Sequence, residues 1–545
     1  LFTSLFISFA KVNRTVVTIT RRRKTYVFLV AVFCIAGSVS AVRAAIRLPA
    51  LFSEGMVFQR DQPVPIWGWA ASGEQITVSL NGRTATATAD DDGRWKTTLP
   101  PLKAGGPFTL QLTSSAGRTV RIGNVLVGEV WFCGGQSNMV WWVYRSKNAE
   151  HEIATANCPQ IRHFAVRWEG ADRPKDDCTG HWSVCSPKTA GDFSAVAYFF
   201  GRVLHKELGV PIGLVNASRG GTAARAWVSR AALISDPYYA KLVQSSEKRC
   251  AGFDFAAEEA RYQEKAALWD RAVAKARAEG TLPPHRPRRD NPCMGNSRPS
   301  MFYNAMVAPL APMAVRGVIW YQGESDIDRA WRYRNIFPLL IRDWRKAHGR
   351  DDLPFGFVQI APFRPGSRRA KLDPTCGAEL RESQLLTLKK VPHTGMVVTM
   401  DIGDPTNIHP ANKQEVGRRL ALWALATVYG RDLVYSGPIY ESLAIEGERI
   451  RLRFSHAGSG LATNDGKPAS HFIIAGADRK FHPAGAEIDG DTLVVRATAV
   501  PKPVAVRYAW RHDAEPNLIN REGLPASPFR TDRWKLVTEP NAVAR

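Results

Sequence analysis

At 545 residues, 45% hydrophobic and 10% aromatic, the chain is too long for one core and implies about three domains that can bury sizeable interiors. A net charge of +23 points first to nucleic acid, but residues 1–44 hold seven basic groups and no acid, leaving +16 for the rest. That remainder is scattered, with clusters such as Arg286-Pro287-Arg288-Arg289 but no basic stripe interleaved with aromatics, so it describes a solvated basic surface and excludes a nucleic-acid partner.

At the N-terminus, Arg21-Arg22-Arg23-Lys24 precedes an apolar run over residues 26–37, and Val42-Arg43-Ala44 supplies a small-residue cleavage pattern. Residues 1–44 therefore read as a secretory signal peptide cut after Ala44, or else after Ala41, and the protein as secreted or periplasmic. About 12 apolar residues are too few to span a bilayer and no second long run succeeds them, so no stable membrane insertion is expected. Export permits disulfides, but the spacing of the eight cysteines specifies no pairing. No C-x-x-C pair occurs, which argues against zinc, and Cys133 reads as a core thiol.

Residues 45–123 show short alternating runs, such as Gln75-Ile76-Thr77-Val78-Ser79-Leu80, separated by Asn-Gly, Asp-Gly and Gly-Gly turns. This is the pattern of a small β-sandwich, of jelly-roll or Ig-like type. Residues 431–545 return to it, with Arg449-Ile450-Arg451-Leu452-Arg453-Phe454 as a clear strand, and predict a second β-rich domain. Between them, over residues 124–430, five near-continuous apolar runs occupy 125–133, 212–217, 315–321, 355–360 and 396–401. They alternate with amphipathic stretches at 193–208, 333–346 and 412–429, as strands of a doubly wound, five-stranded parallel sheet do when helices cover both faces. Residues 231–300 interrupt the alternation with a charged, Ala-rich helix and a Pro/Arg-rich loop. This helical insertion either shapes substrate access or is purely structural.

The chemistry lies in the polar loops at the ends of the apolar runs. The first run ends at Gly134-Gly135-Gln136-Ser137-Asn138, the second at Ser218-Arg219-Gly220-Gly221-Thr222, the third at Tyr321-Gln322-Gly323-Glu324-Ser325-Asp326, and the fifth leads into Asp404-Pro405-Thr406-Asn407-Ile408-His409. In a doubly wound sheet these C-terminal ends share one edge, so four polar loops distant in sequence converge. A serine hydroxyl is a poor nucleophile until a base takes its proton, and His409 is the best-placed imidazole among twelve. The N–H groups of Ser137 and of the Gly220-Gly221 turn, with the Gln322 amide, are the candidate oxyanion donors. Trp141, Trp142, Trp227, Trp320 and Trp331 lie near this edge in sequence and are candidates either to stack on a substrate or to fill the core.

Met139 stands where the lipase-type elbow G-x-S-x-G requires its second glycine, so this is a different fingerprint. The set Gly135-Gln136-Ser137-Asn138-Met139, Gly220-Gly221-Thr222 with Ala226-Trp227, Tyr303-Asn304-Ala305-Met306, Trp320-Tyr321-Gln322-Gly323-Glu324-Ser325 and Ile408-His409-Pro410 resembles the SGNH hydrolase superfamily. More closely, it is similar to the sialate O-acetylesterase-like carbohydrate esterases. The resemblance implies a flavodoxin-like sheet, with Ser137 as nucleophile, His409 as base, and Ser137, Gly221 and Gln322 at the oxyanion hole. It also implies an acetylated oligo- or polysaccharide, such as xyloglucan or an O-acetylated sialic acid, as the partner, and no cofactor. The superfamily acid stands three residues before the histidine, where this chain has Thr406, and relatives place one two before it, at Asn407. Asp404 is therefore taken as the third member, with Asp401, or a Ser-His dyad oriented by Asn407 or a backbone carbonyl, as alternatives. Two competing readings remain: a metal-dependent hydrolase using Asp401, Asp404 and His409, and a non-catalytic glycan-binding protein on a degenerate hydrolase fold.

Overall fold

The computed structural model describes residues 45–364 and 372–540, so the predicted signal segment lies outside the described residues. Among those residues no helix is long and apolar enough to cross a membrane.

Seven strands come first: β1 (Val57–Gln59), β2 (Val64–Trp69), β3 (Gln75–Leu80), β4 (Arg83–Thr88), β5 (Arg94–Leu99), β6 (Gly105–Ser114) and β7 (Thr119–Gly135). Asn81 and Gly82, both at positive φ, close the two-residue hairpin between β3 and β4, which is why an Asn-Gly pair stands there. Strand β7 is 17 residues long and serves two neighbourhoods. Its first half pairs with β6 and β1, and its second half is the centre of the main sheet.

That sheet runs β13-β12-β11-β7-β10-β8-β9, with β8 (Ile161–Val166), β9 (Gly180–Val184), β10 (Ile212–Ser218), β11 (Gly317–Tyr321), β12 (Phe355–Val358) and β13 (Thr394–Val397). Every neighbouring pair is parallel except β8 with β9. The five apolar runs are β7 and β10 to β13, so the predicted count is corrected by two strands. Strand β8 escapes an apolar-run reading because Arg162 and His163 interrupt it, and β9 is half polar, as suits the sheet's antiparallel edge.

Successive side chains of β7 face opposite ways. Trp131 and Cys133 pack with α3 (Ala195–Leu208) and α9 (Lys413–Thr427). Phe132 packs against Trp344 of α7 (Ala330–Ala347) on the other face, with ring centroids 5.1 Å apart. The sheet is therefore covered on both sides, and each large side chain buried this way contributes about 1.5–3 kcal/mol. Local signals set the helix ends: Ser194 and Asn412 accept N-terminal N–H groups of α3 and α9, and Gly209, left-handed at φ 65°, stops α3.

Short helices α1 (Ser137–Val140) and α2 (Ala149–Ala154) come after β7, and α4 (Arg230–Ile234), α5 (Pro237–Ala251) and α6 (Phe255–Ala278) build the interrupting segment. A disulfide between Cys250 and Cys293 fastens the end of α5 to the loop after α6. Helix α8 (Cys376–Lys390) packs beside α7.

The remaining strands are β14 (Ile439–Glu446), β15 (Arg449–Ser455), β16 (Leu461–Thr463), β17 (Ala469–Ala475), β18 (Phe481–Asp489), β19 (Thr492–Arg496), β20 (Ala505–Tyr508), β21 (Leu518–Asn520) and β22 (Phe529–Arg530). Seven of them form an antiparallel sheet, and β16 pairs with β21 apart from it.

Candidate active site

Three strands of the main sheet end level with one another, because Gly135 is in register with both Ser218 and Tyr321. Beyond that rung, the Gln136 N–H donates to Tyr321 O at 2.9 Å and the Arg219 N–H to Gly135 O at 3.0 Å. Only glycine fits at 135: φ is 143°, and a Cβ would sit 2.2 Å from Tyr321 O. This close approach brings the chain out of the sheet directly into α1, whose first residue is the half-buried Ser137. Gly220 lies against it, since a Cβ there would be 3.4 Å from the Ser137 Cβ, and Gly221 turns the loop at φ 71°. No described residue accepts the Ser137 or Gly221 N–H, so both remain for a ligand oxygen. Asn296, from the end of the interrupting segment, donates to Gly220 O at 3.3 Å.

The third expected oxyanion donor is corrected. The Gln322 amide is fully buried and donates its two hydrogens to Thr222 O at 3.1 Å and Asp326 Oδ2 at 2.7 Å. Its oxygen accepts from the Tyr333 hydroxyl at 2.9 Å. Gln322 braces the Gly221 loop rather than facing Ser137. Asp326 also accepts from Ala224 N at 2.8 Å, and burial raises its pKa.

His409 enters from the loop after β13. Its ring stacks on Trp141, the residue after α1, with centroids 4.9 Å apart and planes 19° from parallel. The imidazole thus lies against the short helix that starts at Ser137. Burial first, then the positive charges of Lys413 and Arg145, pushes its pKa down to about 4. The ring is neutral at ordinary pH, the state a proton acceptor needs.

Neither aspartate reaches that ring. Asp404 accepts from Thr406 N at 2.8 Å, Thr406 Oγ1 at 2.7 Å and Asn407 N at 3.1 Å, closing its own turn. Asp401 pairs with Arg419 through contacts of 2.7 and 2.6 Å. Asn407 accepts the backbone N–H of His409 at 2.9 Å, not a ring N–H. The expected third member, Asp404, is therefore not brought to His409. For the same reason Asp401, Asp404 and His409 do not converge as metal ligands, and no group of three such side chains does so among the described residues.

A different device joins the loops. Asn138, fully buried beside Ser137, donates to Glu324 Oε1 at 2.6 Å and to Ile408 O at 3.0 Å, and accepts from Lys413 Nζ at 2.7 Å. Lys413 is itself fully buried, which lowers its pKa to about 7. The sequence carries a signal for it: Lys413 precedes Val416 and Leu420 on the buried face of α9, where a lysine must have partners. Of the tryptophans, Trp227 and Trp320 are wholly buried, edge to face at 5.9 Å, and belong to the core. Trp331 packs against a cluster containing Trp510, while Trp141 and Trp142 stay at the sheet edge.

Residues 295–426 match the model of the family described as carbohydrate esterase, sialic acid-specific acetylesterase. The mouse sialate O-acetylesterase is 30% identical over 524 residues, covering 89% of this chain and 93% of that protein, and the human one is 29% identical over 529 residues. The chain belongs to the sialate O-acetylesterase family. A crystal structure of a carbohydrate acetylesterase from Xanthomonas citri is 40% identical, with a TM-score of 0.76, covering 90% of this chain and all of that one. This family member is thus a carboxylic ester hydrolase that removes acetyl groups from glycans.

Proposed function

We propose that Ser137 is the nucleophile and His409 its base, working as a dyad whose imidazole is oriented by the Trp141 stack and by the hold of Asn138 on Ile408 O. The observation that carries this reading is the juxtaposition of a strand-end serine, two unengaged backbone N–H groups and a neutral imidazole. His409 takes the proton of Ser137 as Oγ bonds to the acetyl carbon, and the N–H groups of Ser137 and Gly221 hold the oxyanion. Collapse breaks the bond to the sugar oxygen, which leaves protonated by His409. Water activated by His409 then releases acetate and restores the serine.

The substrate in this reading is an acetylated oligo- or polysaccharide. Trp142 and Tyr144 stack at 5.5 Å beside the serine helix, and Trp168 is 46% exposed, an aromatic surface suited to sugar rings. Residues 124–430 form the catalytic portion, and the signal-like residues 21–44 together with the Cys250–Cys293 disulfide support action outside the cytoplasm. Acetate release from acetylated xyloglucan, acetylated xylan and O-acetyl sialic acid, measured in parallel, tests the substrate: the two polymers should be turned over, and inactivity on all three overturns the reading.

A further inference from the structure

Beside the Ser137 helix a cavity of about 320 Å³ opens between the ends of β8 and β10, a size within the usual range for a small-ligand site. Its lining includes Val140, Trp142, His163, Arg167, Trp168, Asp192 and Asn216. It adjoins the reacting edge, because Val140 closes the helix that Ser137 opens and Ser218, at the cavity's other wall, is in register with Gly135.

His163 is the informative residue. It occupies a strand position between Ile161 and Ala165, stacked on Phe193 at 4.6 Å and 16°, where an aliphatic or phenyl side chain would satisfy the packing. Only 2% of it is exposed, and its Nε2 has no hydrogen-bond partner among the described residues. A buried polar nitrogen without a partner is uncommon unless something else supplies one. Burial, reinforced by His181, pushes its pKa down to about 3, so the ring is neutral, with one donor and one acceptor. Asn216 accepts from Ser218 Oγ at 2.7 Å and keeps its amide hydrogens. The cavity thus combines indole faces for C–H groups with hydrogen-bonding groups for hydroxyls, and Arg167 and Asp192 place opposite charges on its wall.

We propose that this cavity is a subsite for a pyranose of the acetylated glycan, with His163 hydrogen-bonding one of its hydroxyls. The inference rests on Ser137 being the nucleophile. The test compares kcat/KM for an acetylated xylo-oligosaccharide with that for p-nitrophenyl acetate. In His163→Phe, which retains the stack on Phe193, the ratio of the two falls about tenfold, chiefly through KM for the oligosaccharide. Trp168→Ala, at a position 46% exposed, lowers the same ratio, and His163→Gln lowers it less than His163→Phe. An unchanged ratio in His163→Phe and Trp168→Ala overturns the subsite. Ser137→Ala separates the two readings: full activity in that variant defeats the nucleophile assignment, whereas its inactivity with an unchanged ratio in the others defeats only the subsite.

Discussion

Ser137 and His409 are held in unlike ways. The serine leaves a rung shared by three parallel strands, and the backbone bonds of Gly135, Gln136 and Arg219 fix its direction before any side chain contributes. The histidine sits in a half-exposed loop whose aspartates are turned to other partners. Its place is set by one ring stack, by the bond from Asn138 to the carbonyl before it and by Asn407, which accepts its backbone N–H. A hydroxyl positioned by the sheet needs little else. An imidazole positioned by neighbouring side chains depends on them, and Asn138 links the two loops.

The sharpest test of the sheet-held half is Ser137→Ala, expected to lower kcat/KM for acetate release by at least about 10⁴-fold with unchanged circular dichroism. Asn138→Ala removes the link itself and leaves Lys413 and Glu324 short of a buried partner. It should destabilise the protein by roughly 2–4 kcal/mol in urea unfolding and weaken catalysis as well; an unchanged midpoint would mean that the loops do not rely on it.

The stack on Trp141 is read by pH. In the proposed dyad neutral imidazole is the active form, and burial together with the cations Lys413 and Arg145 penalises the charged form, so the acid limb of kcat/KM should fall near pH 4 rather than near the ordinary histidine value of about 6.5. Trp141→Ala uncovers the ring and should raise that limb by about one to two pH units. A limb that stays in place would show that the burial comes from elsewhere. The smallest effect belongs to Asp404→Asn, expected to change kcat/KM by no more than about twofold. A loss of about 10⁴-fold would make Asp404 the orienting acid and erase the contrast between the two halves.

Much of this is legible in the order of the residues. Five of the main strands announce themselves as apolar runs because helices cover both of their faces, and the polar loops at their ends carry the proposed Ser137, Gly221 and His409. The hidden part depends on contacts across long stretches of chain. Asn138 meets Glu324 at a separation of 186 residues and Lys413 at 275, and no local pattern encodes such meetings. Asp404 misleads because nearness to His409 along the chain is not nearness of its carboxylate to the ring, which loses to the closer N–H groups of its own turn. Gln322 misleads in the same way, since its amide finds Thr222 and Asp326 before any substrate arrives. Strand β8 is concealed by Arg162 and His163, and one of the two polar residues that disguise it faces the cavity beside the serine.

The shared strand β7 limits how this enzyme can be shortened. Its residues 119–127 pair with β6 and its residues 129–135 with β10 and β11, so no joint exists at which the N-terminal strands come away as a detachable module. A truncation starting near Gly123 would leave the central strand frayed at its root, one continuous ladder from the serine. Heat should accordingly melt both portions in a single transition, and grafting the catalytic portion onto another scaffold would have to carry the first seven strands with it.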